Sequence, residues 1–196
     1  MSQTILFIDG ENFIFKIEEV LKNKGIEKNQ LEIASLNFTE LFKKPLKNIK
    51  ILRKIFYAAK LHSHPETKEK SEKLIKIQRK LRNNLINQNF EFVIAGNVRA
   101  QEIHINKKSK IIFREKGVDV KIAVDLVSFA ADKKIKTAIL CSSDSDLQPA
   151  IKELRRRNVE VVYLGFELNP NKGLAYTTNR TILFRNSEII EVCTLK

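Results

Sequence analysis

The sequence predicts an α/β fold, a layered sandwich of helices around a mostly parallel central sheet. Short runs such as TILFIDG, TAILCS and VEVVYLG are apolar at nearly every position, as strands buried on both faces of a parallel sheet must be. Segments with helical spacing alternate with these runs, and the connections between them are short. The 196 residues suffice for one well-buried core, and no apolar run approaches the roughly 18–20 residues that span a bilayer, so no membrane partner is expected.

TILFIDG is the first strand. ENFIFKIEEVLKNKG follows as a helix, from the spacing of Phe13, Ile17, Val20 and Leu21, with Gly25 where a C-terminal cap belongs. A second helix is predicted over Asn29 to Phe42, stopped near Pro45. IKILRKIFYAAK is the next strand. The clearest helix is HPETKEKSEKLIKIQRKLRNNLINQN, where Leu74, Ile77, Leu81 and Leu85 form one stripe and Lys73, Lys76 and Lys80 another. FEFVIAGNVRAQEIHINKKSKIIFREKG reads as a strand and hairpin with a basic tip at Lys107, Lys108 and Lys110. VDVKIAVDLVSFAAD is then a helix, KTAILCS a strand, DLQPAIKELRRRN a helix, VEVVYLG a strand and TILF a last short strand. With no repeat and no low-complexity linker, residues 1–196 read as one domain with a basic helix-plus-hairpin elaboration at 62–116.

The formal net charge is +13, and it is localised. Between Lys43 and Lys116 stand 20 Lys and Arg against 6 Asp and Glu, while the flanks are close to neutral. Such asymmetry suggests an anionic partner, most simply nucleic acid, although a solvated lysine-rich face would give the same totals. Cys141 and Cys193 make no metal or disulfide pattern, and Cys141 closes an apolar strand as a buried thiol would. The start, MSQTILFIDGEN, has neither a basic lead nor a small-residue cleavage site, so a cytoplasmic protein is expected.

Acidic residues fall at the ends of apolar strands. Asp9 ends the first, and Asp144 and Asp146 follow TAILC. In open parallel sheets, sites form outside the carboxyl ends of strands, so both loops are expected on one edge. Asp119, opening a helix after Gly117, would face the same edge or cap its helix. Carboxylates gathered there repel one another unless a cation sits among them, and all-oxygen ligands favour Mg²⁺ or Mn²⁺. Such an ion activates water and stabilises the leaving oxygen of a phosphodiester.

Each of these residues also has a plainer structural reading. Asp9 with Gly10 would form an Asx-type turn, and one of Asp144 and Asp146 is expected to cap the helix beginning near Leu147. Asp125, six residues beyond Asp119, is rotated well off the same helical face; it would support a second ion or join a salt bridge. Asn12, one short turn beyond Asp9, is placed to orient a water or a ligand. There is no G-x-x-x-x-G-K-[ST] loop, G-x-G-x-x-G turn or G-x-S-x-G elbow, and His62 and His64 lack zinc-site partners. Phe56 and Tyr57 could stack on bases, but their apolar strand favours core packing.

FIDGEN, KGVDVKIAVDL and SSDSDLQPAIKELRRRNVEVVYLG, in this order and spacing, resemble the NYN domain in its LabA-like branch, a relative of the PIN-domain nucleases. The resemblance spans roughly Thr4 to Gly165, with a weaker continuation to Phe184. It implies a PIN-like three-layer α/β/α sandwich and Mg²⁺- or Mn²⁺-dependent cleavage of RNA. By position, Asp9, Asp119 and Asp144 match the family's core metal-binding carboxylates, and Asp146 the second acid of its SxDxD element. Asn12 matches the asparagine after the first aspartate, and Asp125 the later acid of KGVDVxxAxD. Ser143 stands where the family usually has Gly, and Leu147 where it prefers Phe.

The basic helix and hairpin carry no family catalytic residue and are read from charge alone. Lys73, Lys76, Lys80, Lys107, Lys108 and Lys110 are the candidate nucleic-acid contacts. The leading expectation is a metal-dependent ribonuclease acting on single-stranded RNA, with Asp9, Asp119, Asp144, Asp146 and Asn12 as catalytic residues. Its rival is a non-catalytic nucleic-acid-binding regulatory module that keeps the fold. A Toprim-like phosphotransfer domain is weaker, because that domain needs a glutamate where Asp9 stands, with Glu11 two residues on. A homo-oligomer is compatible with the sequence.

Overall fold

The computed structural model describes residues 3–63, 65–105 and 108–194, with side chains throughout except at 66 and 99–111. Among these residues the strands are β1 (Gln3–Asp9), β2 (Arg53–Lys60), β3 (Glu91–Ile105), β4 (Lys108–Lys116), β5 (Ile135–Cys141), β6 (Glu160–Phe166) and β7 (Arg180–Phe184). They form one sheet in the order β4-β3-β2-β1-β5-β6-β7. The pairs are parallel except β3 with β4, which run antiparallel from Asn97 opposite Lys116 to Ile105 opposite Lys108. The helices are α1 (Gly10–Asn23), α2 (Gln30–Ile33), α3 (Phe38–Lys43), α4 (Lys68–Asn87), α5 (Val118–Ala131), α6 (Gln148–Arg156), α7 (Lys172–Thr177) and α8 (Asn186–Thr194). None of the described helices is long and apolar enough to cross a membrane.

The alternation hidden in the all-apolar first strand builds the layers. Leu6 and Ile8 point into one core, with Phe13 and Ile17 of α1, Phe38 of α3, Leu85 of α4 and Ile189 of α8. Ile5 and Phe7 point into the other, with Ile122 and Leu126 of α5, Ile151 of α6 and Leu174 of α7. These four β1 side chains are fully buried, and each such burial contributes about 1.5–3 kcal/mol. A three-layer α/β/α sandwich results, as expected for a strand that is hydrophobic on both faces.

The helix predicted over Asn29–Phe42 is instead two short helices. Asn29 and Glu32 form a reciprocal capping box on α2, and the Ser35 hydroxyl bonds back to the Leu31 carbonyl. Asn37 then caps α3 through the Glu40 N–H. Side chains that compete for backbone groups at 35–37 end one helix and begin the next. The long basic helix forms as predicted over most of its length, preceded by a short 3-10 turn at Pro65–Thr67.

From β1 the chain winds through β2 and β3 on one side, then crosses to β5, β6 and β7 on the other. The topological switch point therefore lies between the carboxyl ends of β1 and β5, which is where open α/β sheets bind ligands. Gly10 makes the first of these ends possible. A Cβ there would collide with the Tyr57 carbonyl oxygen and the Phe56 ring. Gly10→Ala is expected to cost about 1–3 kcal/mol, an overpacking cost. Thermal unfolding should show a Tm lower by several degrees, and an unchanged Tm would mean that β2 does not approach so closely.

Candidate active site

Asp9 is the last residue of β1 and the N-cap of α1. Its Oδ1 accepts from the Asn12 N–H at 3.3 Å and its Oδ2 from the Ser142 hydroxyl at 3.0 Å. Ser142 in turn accepts from the Asp144 N–H at 3.1 Å, and the Asn12 side-chain oxygen accepts from the Ser143 N–H at 3.0 Å. Two bridges thus stitch the end of β1 to the loop after β5. The Asn171 side chain holds that loop from the far side, donating to the Ser143 carbonyl at 2.8 Å.

Asp144 caps the short 3-10 turn Ser145–Leu147, its Oδ1 accepting from the Asp146 N–H at 2.9 Å. It still lines the cleft, so capping and site duties fall on one residue. Across the cleft, Gly117 adopts the left-handed conformation (φ 89°) that turns the chain from β4 into α5. Gly117 is the N-cap there, so Asp119 is not the cap; it sits in the first turn of α5, lining the cleft.

A cleft of about 650 Å³ unites these parts, lined by Asp9, Glu11, Asn12, Glu115, Asp119 and Asp144. Lys116 is its basic member. Phe15 and Val120, each 60% exposed, form apolar lips. The N-termini of α1 and α5 both open on it, and their dipoles favour negative charge.

The electrostatics are those of crowded acids. Burial pushes the Asp9 carboxyl up to about 6; the Ser142 and Asn12 hydrogen bonds oppose the rise, and the charges of Asp144 and Glu11 add to it. Burial also pushes Glu115 up to about 9, reinforced by a hydrogen bond and repulsion from Glu11 and by the charges of Asp9 and Asp119. The donor set is all hard oxygen, the kind that suits a divalent cation. Among the described residues, however, no three such groups stand close enough to hold an ion as placed. The carboxylates line one cleft without converging on one point.

The model of the NYN domain family matches residues 3–183. The chain belongs to the NYN domain family. This is a family of PIN-like nucleases, typically dependent on divalent metals. No curated protein matches the chain.

In this NYN fold the residues predicted from the sequence fall in different places. Asp9, Asn12, Asp119 and Asp144 share the cleft. Asp146 is exposed beside it and serves the loop through its backbone N–H. Asp125 faces away into another arrangement, accepting from the Tyr57 hydroxyl at 3.0 Å and pairing with Lys121 at 2.5 Å. Burial and then the Asp125 charge push the Tyr57 phenol far above its usual range.

Lys73, Lys76 and Lys80 are exposed on α4, and Lys73 and Lys80 line clefts beside α2 instead of the acidic one. Lys107 and His64 lie outside the described residues, as do the side chains of Lys108 and Lys110. His62 bonds to Asn97 at 3.1 Å in a loop. Sequence reasoning gave no site role to Glu11, Glu115 or Lys116. The available signal was Glu115 itself, the lone acid in KKSKIIFREK, two residues before the turn at Gly117.

Proposed function

We propose that this NYN protein is a metal-dependent nuclease that hydrolyses phosphodiester bonds of RNA, in the LabA-like branch and in the cytoplasm. The observation that carries the reading is the gathering of Asp9, Asp119 and Asp144 along one cleft at the switch point of an NYN chain. These three would hold Mg²⁺ or Mn²⁺, with Asp146 assisting from the loop. When bound, the ion supplies an acidic water and offsets charge on the leaving oxygen.

The protein's own groups do the rest. Ser142 and the Asn12 backbone fix both oxygens of Asp9, so its carboxyl enters the cleft in one orientation. The Asn12 side chain holds the Ser143 N–H and with it the loop that carries Asp144. The N-termini of α1 and α5, together with Lys116, offset the charge of a phosphate drawn into the cleft. The lysines of α4 would hold the flanking strand through salt-sensitive contacts.

The test is cleavage of labelled single-stranded RNA by the wild-type protein in Mg²⁺, in Mn²⁺ and in EDTA. Products in either metal and none in EDTA are expected. A second reading, a non-catalytic RNA-binding regulator, is favoured by the open spacing of the carboxylates and by the basic middle of the chain. Salt-sensitive binding without products in either metal would establish that reading and overturn the first.

A further inference from the structure

Next to the acidic cleft is a second cavity, of about 220 Å³, and the two share Glu11 and Glu115 as a common wall. Phe56 and Ala59 of β2 and Phe113 of β4 line it from the sheet, and Leu74 and Ile77 line it from α4. Leu74 and Ile77 are only half-buried, so the cavity opens along that helix. A cavity of about 150 Å³ with such aliphatic and aromatic walls accepts benzene. This one therefore has room for a single planar heterocycle.

We propose that the cavity is a nucleobase subsite: one unpaired base of the substrate strand turns into it while the adjoining phosphodiester lies in the acidic cleft. The inference rests on the nucleic-acid reading above and adds to it the place where the substrate is gripped. Three features select a nucleotide over any other apolar occupant. The first is continuity, since a base in the cavity and its phosphate in the cleft would meet at the shared wall.

The second feature is chemistry. The Phe113 ring and the aliphatic walls suit the π-face of any base, and the carboxyl oxygens of Glu11 and Glu115 can accept from N–H groups on its edge. The third is charge. The α4 helix carries seven Lys and Arg against two Glu, and its Lys70 ammonium lies 5.3 Å from the centre of the Phe113 ring. A sugar–phosphate chain crossing the mouth of the cavity would run past this positive charge. A paired base cannot enter without leaving its stack, so the subsite selects single strands.

The test measures binding in EDTA, so no cleavage intervenes, to an adenosine RNA decamer and to a ribose-phosphate decamer of the same length without bases. Leu74→Phe and Ile77→Phe each place a ring in the cavity from a half-buried helix position, and thermal unfolding verifies that each variant folds. Each variant is expected to bind the adenosine decamer about tenfold more weakly than wild type, the size of one lost stacking interaction. Binding of the base-free decamer should stay within about twofold, because phosphate contacts alone carry it. Wild-type affinity for the adenosine decamer in both variants would overturn the subsite and leave the nucleic-acid reading standing, as would equal weakening of both decamers. Failure of the wild-type protein to bind either decamer would overturn both.

Discussion

Asp144→Asn is expected to lower metal-dependent cleavage of single-stranded RNA by about three orders of magnitude, equivalent to about 4 kcal/mol of transition-state stabilisation. The fold should survive, because asparagine caps as well as aspartate and its side-chain oxygen can still accept from the Asp146 N–H. RNA binding should hold or tighten, since one negative charge facing a polyanion is removed. Asp9→Asn should behave alike in activity, because Asp9 is the other end of the same hydrogen-bonded stitch. Asp146→Asn should lose far less, as its carboxylate is exposed and does not line the cleft. Cleavage rates and filter binding for the three variants decide the matter. Full activity in Asp144→Asn, or silence in Asp146→Asn alone, would place the chemistry elsewhere.

Part of this site was legible in the sequence. The strands β1, β5 and β6 could be read because burial on both faces leaves almost no polar position, and the acids at the ends of β1 and β5 could be read because a parallel sheet brings such ends together. Glu115 could not be read in that way. It lies on β4, which among the described strands is the one that runs antiparallel, and its place in the cleft depends on the pairing of β4 with β3 and on the left-handed turn at Gly117. Periodicity makes it an alternating residue in a basic strand and nothing more. Asn171, which supports the Ser143 loop from a segment nearly thirty residues on, gives no local signal at all. Charge counting found a basic middle segment correctly, yet it could not say which way the lysines of α4 face. Helix phase does that: it buries Leu85 and sets Leu74 against the cavity, while Lys73 and Lys80 stand beside α2.

In EDTA the protein is expected to lose thermal stability as pH rises from 5 to 9, and a divalent cation should restore more of it at the alkaline end. Asp9 moves from its ordinary 3.8 to about 6 on folding and Glu115 from 4.5 to about 9, so the folded state holds both protons more tightly than the unfolded chain. Stability from these groups is complete below about pH 4 and is lost as pH rises through 6 and then through 9. For Asp9, two units correspond to about 3 kcal/mol; Glu115 is partly exposed, and water screens part of its cost. The acids shifted the other way do not mask this trend. Glu153, held near 2 by Arg156 and Arg157, is already ionised in both states across that window. Glu115→Gln should therefore flatten the upper half of the curve and raise Tm at pH 8.5, with little change at pH 5. Mg²⁺ or Mn²⁺ should raise the wild-type Tm more at pH 8.5 than at pH 5.5, because a cation must displace the protons that these carboxyls keep at lower pH. A Tm that is flat or rising with pH in EDTA, or a metal shift independent of pH, would mean that the carboxyls of the cleft are not strained against one another. The crowding that would make the empty cleft costly at neutral pH is the same property that would let a cation bind there.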